Sequence, residues 1–218
     1  MRYGRCVAGV VGAGALFCLP VGVFADASET MTKIVIRNVG GNVDPASFEA
    51  KPVTHWRMGT RYGRVQEEPD PNMGIHGLIV VNEPDVWMAN LYTKTARHIV
   101  DSGPTYVYRV PLLSTRDFPG FLLFELGKEF EFIEAHAVEK NGTEMVDGQS
   151  CDRYELAKDG VLVVFHAKEG TRTPFQLEIN QGDRQLRKVR YEVYETGLPP
   201  DLSLFEAPQG MSIEELRP

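Results

Sequence analysis

The sequence is poor in cysteine and in positive charge. Its 218 residues include three cysteines, and 23 Lys+Arg stand against 30 Asp+Glu, for a formal net charge of -7. So few cysteines exclude a small scaffold held together by disulfides. The acidic balance excludes the broad basic surface with which proteins bind nucleic acid, so we expect no nucleic-acid partner. With 43% hydrophobic and 24% charged residues, the composition is that of a globular protein.

Motifs of metal binding and catalysis are also missing. The five histidines occur singly, without the short spacings of metal ligands, and no Cys-x-x-Cys pair occurs. No nucleophile motif accompanies them. We therefore predict no metal, no cofactor, no catalytic residue and no enzymatic activity. The alternative is an enzyme whose groups converge only in the fold, which requires at least two histidines beside carboxylates in one cleft: His55, His76, His98, His136 or His166.

The first 25 residues have the pattern of a secretory signal peptide. Arg2 and Arg5 precede an uncharged apolar run, and Val23-Phe24-Ala25 is a small-residue cleavage site. The pattern predicts cleavage near Ala25 and a periplasmic or secreted protein. The alternative is a retained anchor, since the run has about the length that spans a bilayer.

Residues 26–218 are expected to form a single domain, because no repeat or linker divides them. After cleavage, Cys151 is the only remaining cysteine, so no internal disulfide can form. Its neighbours offer no base that would activate a thiol, so we expect Cys151 to be a small buried hydrophobic residue.

Short alternating runs separated by turn residues predict antiparallel strands throughout this domain. Hairpins are expected with turns at Asp159-Gly160, at 181–183 and at Asn141-Gly142. Polar residues alternate with the apolar residues Val189, Tyr191 and Val193, which predicts that one face of this strand is buried. Further strands are expected at 32–38, 53–58, 61–67, 77–81, 86–91, 95–100 and 105–110.

One stretch departs from alternation. Pro119 stands near the start of a densely apolar segment, which predicts a short helix over 117–128. Residues 129–132 return to alternation and are expected to be extended. The runs 77–81 and 161–167 are apolar on both sides, so they need cover on both faces. Either a sandwich core or a bound apolar ligand would supply that cover.

Two segments in the C-terminal half resemble a known family. After the expected strand 186–194, Phe205, Pro208 and Gly210 follow in a short segment, and residues 145–156 form a hairpin with a tyrosine-bearing strand. This pattern is similar to the LolA/LolB-like periplasmic lipoprotein-carrier proteins, over roughly residues 130–212 and less closely over 50–110. The resemblance implies a mainly β (α+β) fold, a curved and incompletely closed antiparallel half-barrel with one or more covering helices.

The resemblance also implies a function without chemistry. Carriers of this type hold a lipid or the acyl chains of a lipoprotein in an apolar cavity during envelope trafficking. The alternative on the same fold is an envelope sensor or interaction module that binds a membrane protein and no lipid. The carriers' cavity-latching arginine is not identified by any motif here. The residues expected to line a cavity are Trp56, Met58, Trp87, Phe121 and Phe124.

Overall fold

The computed structural model describes residues 29–216, so the predicted signal peptide lies outside the described residues. Six strands come first in the chain: β1 (Met31–Asn38), β2 (Val53–Met58), β3 (Tyr62–Glu67), β4 (Gly77–Asn82), β5 (Asp85–Asn90) and β6 (Thr95–Val100). The helix α1 (Glu129–Ala135) follows. The remaining strands are β7 (Lys140–Val146), β8 (Gln149–Lys158), β9 (Val161–Lys168), β10 (Pro174–Gln181), β11 (Arg184–Leu198) and β12 (Ser212–Leu216). Single turns of 3-10 helix occupy Phe48–Ala50, Pro119–Phe121 and Leu202–Phe205.

All twelve strands form one sheet in the order β12-β6-β5-β4-β3-β2-β1-β11-β10-β9-β8-β7. The sheet does not close into a barrel, because β12 and β7 remain as its two edges. Every neighbouring pair is antiparallel except β12 with β6, which are parallel. The predicted fold class, a mainly β open sheet covered by a helix, is confirmed.

The strand register divides the sheet into two faces. Ile34, His55, Val65, Ile79 and Met88 stand opposite one another on successive strands β1 to β5, and the face that carries them is called the inner face. Because side chains alternate along a strand, their neighbours point to the outer face.

Residues 101–138, here called the cap segment, cover half of the inner face. Phe121, Phe124 and Phe132 of this segment pack against apolar side chains of β1, β11, β10 and β9. The packing buries Leu177 and Ile179 completely. The expected dry face of the β10–β11 hairpin is therefore the floor of the main core. Val193 is the exception, because a bulge opposite Val35 and Ile36 turns it to the outer face.

The chain after β11 crosses the outer face before it returns to the sheet as β12. Phe205 is fully buried on this path, against Met31, Met58 and Tyr62. The Tyr62 and Phe205 rings lie 5.5 Å apart. The Leu204 carbonyl accepts a hydrogen bond from Arg64 of β3. The outer face of β1 to β4 thus has its own cover, formed by the C-terminal segment.

Two of the three expected hairpin turns are confirmed, and the third is wrong. Asp159-Gly160 connects β8 to β9, and residues 182–183 connect β10 to β11. The β7–β8 hairpin turns at Asp147-Gly148, both with positive φ, and not at Asn141-Gly142. Gly142 also has positive φ, but it sits in a bulge within β7. Both Asn141-Gly142 and Asp147-Gly148 have the residue types that a two-residue hairpin turn prefers. The pairing of β7 with β8 determines which of the two forms the turn.

The expected helix over 117–128, the expected strand at 105–110 and the expected extended segment at 129–132 are also wrong. Only Pro119–Phe121 forms a helical turn, since the amides of Leu112 and Leu126 bond across the cap segment to Phe124 and Val110. The helix forms over Glu129–Ala135 instead. It buries Glu129, Phe130, Phe132 and Ile133, a spacing typical of a helix. The four residues 129–132 alternate between polar and apolar, and a run this short does not distinguish a helix from a strand. Of residues 105–111, only Pro111 makes a β-bridge, to Glu125.

Candidate functional site

An open apolar groove lies where the cap segment leaves the inner face uncovered. Val65, Ile79 and Met88 stand side by side across β3, β4 and β5 and form its floor. The Ile79 and Met88 residues are each 38% exposed. The groove has a volume of about 610 Å³, and its lining also includes the charged residues Glu67, Arg97 and Glu214. A surface of this shape and composition is suited to an elongated apolar ligand.

The edge strand β12 closes one side of this groove. Ser212, Ile213 and Glu214 contribute to the groove lining, and Glu214 forms an ion pair with Arg97 at 3.1 Å. On the outer face, the His98 ring bonds through Nδ1 to Glu215 at 2.7 Å and through Nε2 to Asp85 at 2.8 Å. Partial burial works to lower the pKa of His98, but the two carboxylates outweigh it and raise that pKa. His98 therefore ties β12 to β5 through its own strand, β6.

A smaller cavity lies beside the groove, under the edge of the cap segment. It has a volume of about 210 Å³, and Ile34, His55, Arg57, Tyr108 and Leu126 are among its lining residues. His55 stands directly opposite Val65, which lines the groove. The groove and this inner cavity therefore have lining residues on neighbouring strands at the His55–Val65 pair.

Arg57 joins the cap segment to the sheet at this cavity. Its Nη2 group donates to the Tyr108 carbonyl oxygen at 3.0 Å and to Glu125 Oε2 at 3.1 Å. The Glu125 side chain is only 4% exposed, and Arg109 lies 3.7 Å from its second oxygen. A buried carboxylate depends on such partners, because losing one leaves an unpaired charge away from water. Arg57 is thus a latch between β2 and two points of the cap segment.

Tyr108 forms the boundary of the cap segment over β3. Its amide donates to the Thr60 carbonyl oxygen at 2.7 Å, and its ring lies against Gly63. A Cβ atom on residue 63 would come within 2.3 Å of that ring, so only glycine fits there. Burial raises the pKa of the Tyr108 hydroxyl to about 12, so this group is a neutral donor at any physiological pH.

Several polar atoms around the inner cavity are buried without a hydrogen-bond partner. They are both ring nitrogens of His55, Nη1 of Arg57 and the hydroxyl of Tyr108. Burial, with a contribution from the charge of Arg187, lowers the pKa of His55 to about 4, so the ring is neutral. Most buried polar groups in proteins are paired, which makes three unpaired side chains around one cavity unusual.

Glu129 is a buried acid at the start of α1, close to the same cavity. Its Oε1 atom accepts hydrogen bonds from the Tyr191 hydroxyl at 2.6 Å and from the Gly127 amide at 2.8 Å. Burial raises its pKa to about 7, and these hydrogen bonds oppose the rise only in part. The carboxyl group therefore changes charge near neutral pH.

The five residues predicted from the sequence as cavity-lining do not gather in one place. Phe121 and Phe124 belong to the cap segment and are fully buried in the main core, and Met58 is fully buried against Phe205. Trp87 lies on the outer face, stacked on His98 at 5.0 Å. Trp56 projects from the outer face of β2, where it packs against the cluster around Phe205 and Arg64 lies over its ring, and it also contributes to the lining of the inner cavity.

Apart from Trp56, the residues that line the groove and the inner cavity were not predicted as cavity-lining from the sequence. Ile79 belongs to a run that is apolar on both faces of its strand. Met88 follows Trp87 in a strand, so the two side chains point to opposite faces. These were usable signals for the groove. No sequence signal marks His55, Arg57 or Tyr108, since only the packing of the cap segment brings them together.

The remaining titratable groups are dispersed over the described structure. His166 contacts Glu144 and His98 contacts two carboxylates, but seven strands of the sheet lie between β9 and β6. Cys151 is fully buried, as expected. Within residues 29–216, no three His, Cys, Asp or Glu side chains are grouped as metal ligands would be. The helices of this part of the chain are too short and too polar to cross a bilayer.

Comparisons with known proteins give no family. No protein-family model matches the chain, and no curated protein matches it. Among solved structures, an uncharacterized conserved protein from Thermus thermophilus is similar, with 8% identity and a TM-score of 0.48 over 86% of this chain and 91% of that one. Two crystal forms of PNGF-II are similar with 9% identity and TM-scores of 0.36 and 0.34. They cover 88% and 86% of this chain, which spans only 32% and 31% of PNGF-II.

Proposed function

We propose that this protein is an exported carrier that holds the acyl chain of a lipid or lipoprotein on the inner face of its sheet. The observation that carries the proposal is the groove beside the cap segment, which has a volume of about 610 Å³. Its floor is formed by the apolar side chains of Val65, Ile79 and Met88. The resemblance of residues 130–212 to periplasmic lipoprotein carriers supports the same function and a periplasmic location.

The energetics of such binding need no covalent step. Burying apolar surface contributes about 25 cal/mol per Å², and each buried methylene contributes about 0.8 kcal/mol. An acyl chain laid across Ile79 and Met88 would remove both its own methylenes and these half-exposed side chains from water. The total grows with chain length, so the groove would favour long chains over short ones.

The Arg57 latch gives the carrier a way to regulate access. With Arg57 bonded to Glu125 and to the Tyr108 carbonyl oxygen, the cap segment closes the inner cavity. The closed state also leaves polar groups of His55, Arg57 and Tyr108 unpaired, at a cost of about 1–3 kcal/mol for each buried group. Displacement of the cap segment would allow water or a ligand to pair them. The unpaired groups therefore lower the stability of the closed state.

The test is native mass spectrometry of the protein purified from the periplasm, followed by solvent extraction. Wild-type protein should carry lipid, and Met88→Glu should carry several-fold less, because it places a charge on the groove floor. The matched control is Leu162→Glu, since Leu162 is also 38% exposed but lies in β9, on the outer face. A protein free of lipid that also ignores acyl probes would overturn the proposal. Crosslinking of a membrane protein without lipid would support a sensor instead.

A further inference from the structure

The unpaired groups of the inner cavity share one chemical property. Arg57 Nη1 can only donate a hydrogen bond, and the Tyr108 hydroxyl and one nitrogen of neutral His55 can also donate. The Glu125 carboxylate next to them is already bonded to Arg57 and approached by Arg109. The residues around the cavity therefore hold three buried donors that a ligand with its own acceptors would pair.

The three donors belong to neighbouring side chains. His55 and Arg57 are two residues apart on the same face of β2, about 7 Å along the strand. The Arg57 guanidinium carbon lies 5.9 Å from the centre of the Tyr108 ring. A guanidinium pairs best with a planar anionic group, so the acceptor that fits Arg57 best is an anionic one with two oxygens.

We propose that the inner cavity is a carboxylate site, and that the ligand is a fatty acid with its head at His55, Arg57 and Tyr108 and its chain in the groove. This inference rests on the proposed function and narrows its ligand class. The position of the two spaces supports the pose, because His55 of the cavity and Val65 of the groove are cross-strand neighbours on the inner face. A carboxylate bound at His55 would direct the methylenes nearest to it towards Val65.

Entry of the head group requires movement of the cap edge. The unpaired atoms are closed to solvent in the structure, and Tyr108 stands over Gly63 at the boundary. In the ligand-free protein these polar groups thus lack hydrogen-bond partners, and the ligand would supply those partners. Removing such a group should stabilise the free protein and weaken its affinity for the ligand, a pairing of effects that a purely structural tyrosine or histidine would not produce.

The experiment compares the binding of dodecanoate with that of its uncharged methyl ester by titration calorimetry at neutral pH. Wild-type protein should bind dodecanoate on the order of tenfold more tightly. Tyr108→Phe, which keeps the ring on Gly63, should lose most of that preference with no loss of ester affinity, and its melting temperature should not fall. His55→Leu is the second variant, with the same expectation. Tyr106→Phe is the control, because Tyr106 is an exposed tyrosine of the same cap segment.

The outcomes separate this inference from the proposed function. Equal affinity of wild-type protein for the two probes overturns the carboxylate site and leaves the acyl carrier standing. A preference for dodecanoate that survives in both Tyr108→Phe and His55→Leu also overturns the site. Binding of neither probe overturns both proposals.

Discussion

Glu129 shows how burial converts a single carboxyl group into a pH-dependent contribution to stability. Its ordinary pKa is 4.5, and burial beside Tyr191 raises it to about 7 in the folded protein. The folded state therefore binds this proton more tightly than the unfolded chain does. The stabilisation is fully present below about pH 4.5 and is lost as the pH rises through 7.

Glu129→Gln should remove this dependence. Relative to wild type, the variant's free energy of unfolding should rise by up to about 3 kcal/mol between pH 4.5 and pH 8, since each pKa unit corresponds to about 1.4 kcal/mol. Denaturant unfolding at a series of pH values measures it, with Glu139→Gln as the control because Glu139 is exposed. Curves for wild type and Glu129→Gln that stay parallel over this range would contradict the assignment.

His55 has the opposite dependence, because its pKa is lowered from 6.5 to about 4. The buried His55 lowers the free energy of unfolding as the pH falls from 6.5 towards 4, whereas Glu129 lowers it as the pH rises. Neither residue could be identified from the sequence. A histidine next to Trp56, and a glutamate in an alternating run, carry no local sign that a remote segment will bury them.

Among the elements, the cap segment depends most on a single contact, the Arg57–Glu125 pair. The chain supplies a natural comparison, because Arg97 and Glu214 also pair at 3.1 Å but are 63% and 62% exposed. Exposed pairs contribute about 0–1 kcal/mol, while breaking a buried pair costs about 3–5 kcal/mol. The two pairs thus have the same nitrogen–oxygen distance and differ in burial.

Arg57→Gln is therefore expected to loosen the cap segment, and Arg97→Gln is expected to change little. Hydrogen exchange at the amides of Leu112 and Leu126, which bond within the cap segment, should accelerate at least tenfold in the first variant alone. Equal protection of these amides in both variants would show that Arg57 is not the latch.

The elements also mark the limit of local prediction. The strands β2, β4 and β6 follow alternation or apolar runs bounded by turn residues, and their positions were predicted to within one or two residues. The cap segment was not predicted, because its backbone pairs with itself through Val110 and Leu126 and its helix begins only at Glu129. Such pairing follows from tertiary contacts that no window of sequence contains.

For the whole molecule, the need for cover on both faces of the sheet was the most informative prediction from sequence. The inner face is covered by the cap segment, and the outer face of β1 to β4 is covered around Phe205. Neither segment reaches Ile79 and Met88. The sequence indicated that a second apolar face existed, but it could not show that part of it stays open, since that depends on where each cover ends.

The most direct test of the acyl-carrier proposal is to map where a chain binds. A fatty acid with a photoreactive diazirine in its chain can be crosslinked to the purified protein and located by peptide mass spectrometry. The expected result is labelling of peptides from 77–90, which contain Ile79 and Met88, and loss of that label when dodecanoate is added in excess. Equal labelling of the peptide around Leu162 on the outer face, or no label that dodecanoate displaces, would contradict the proposal.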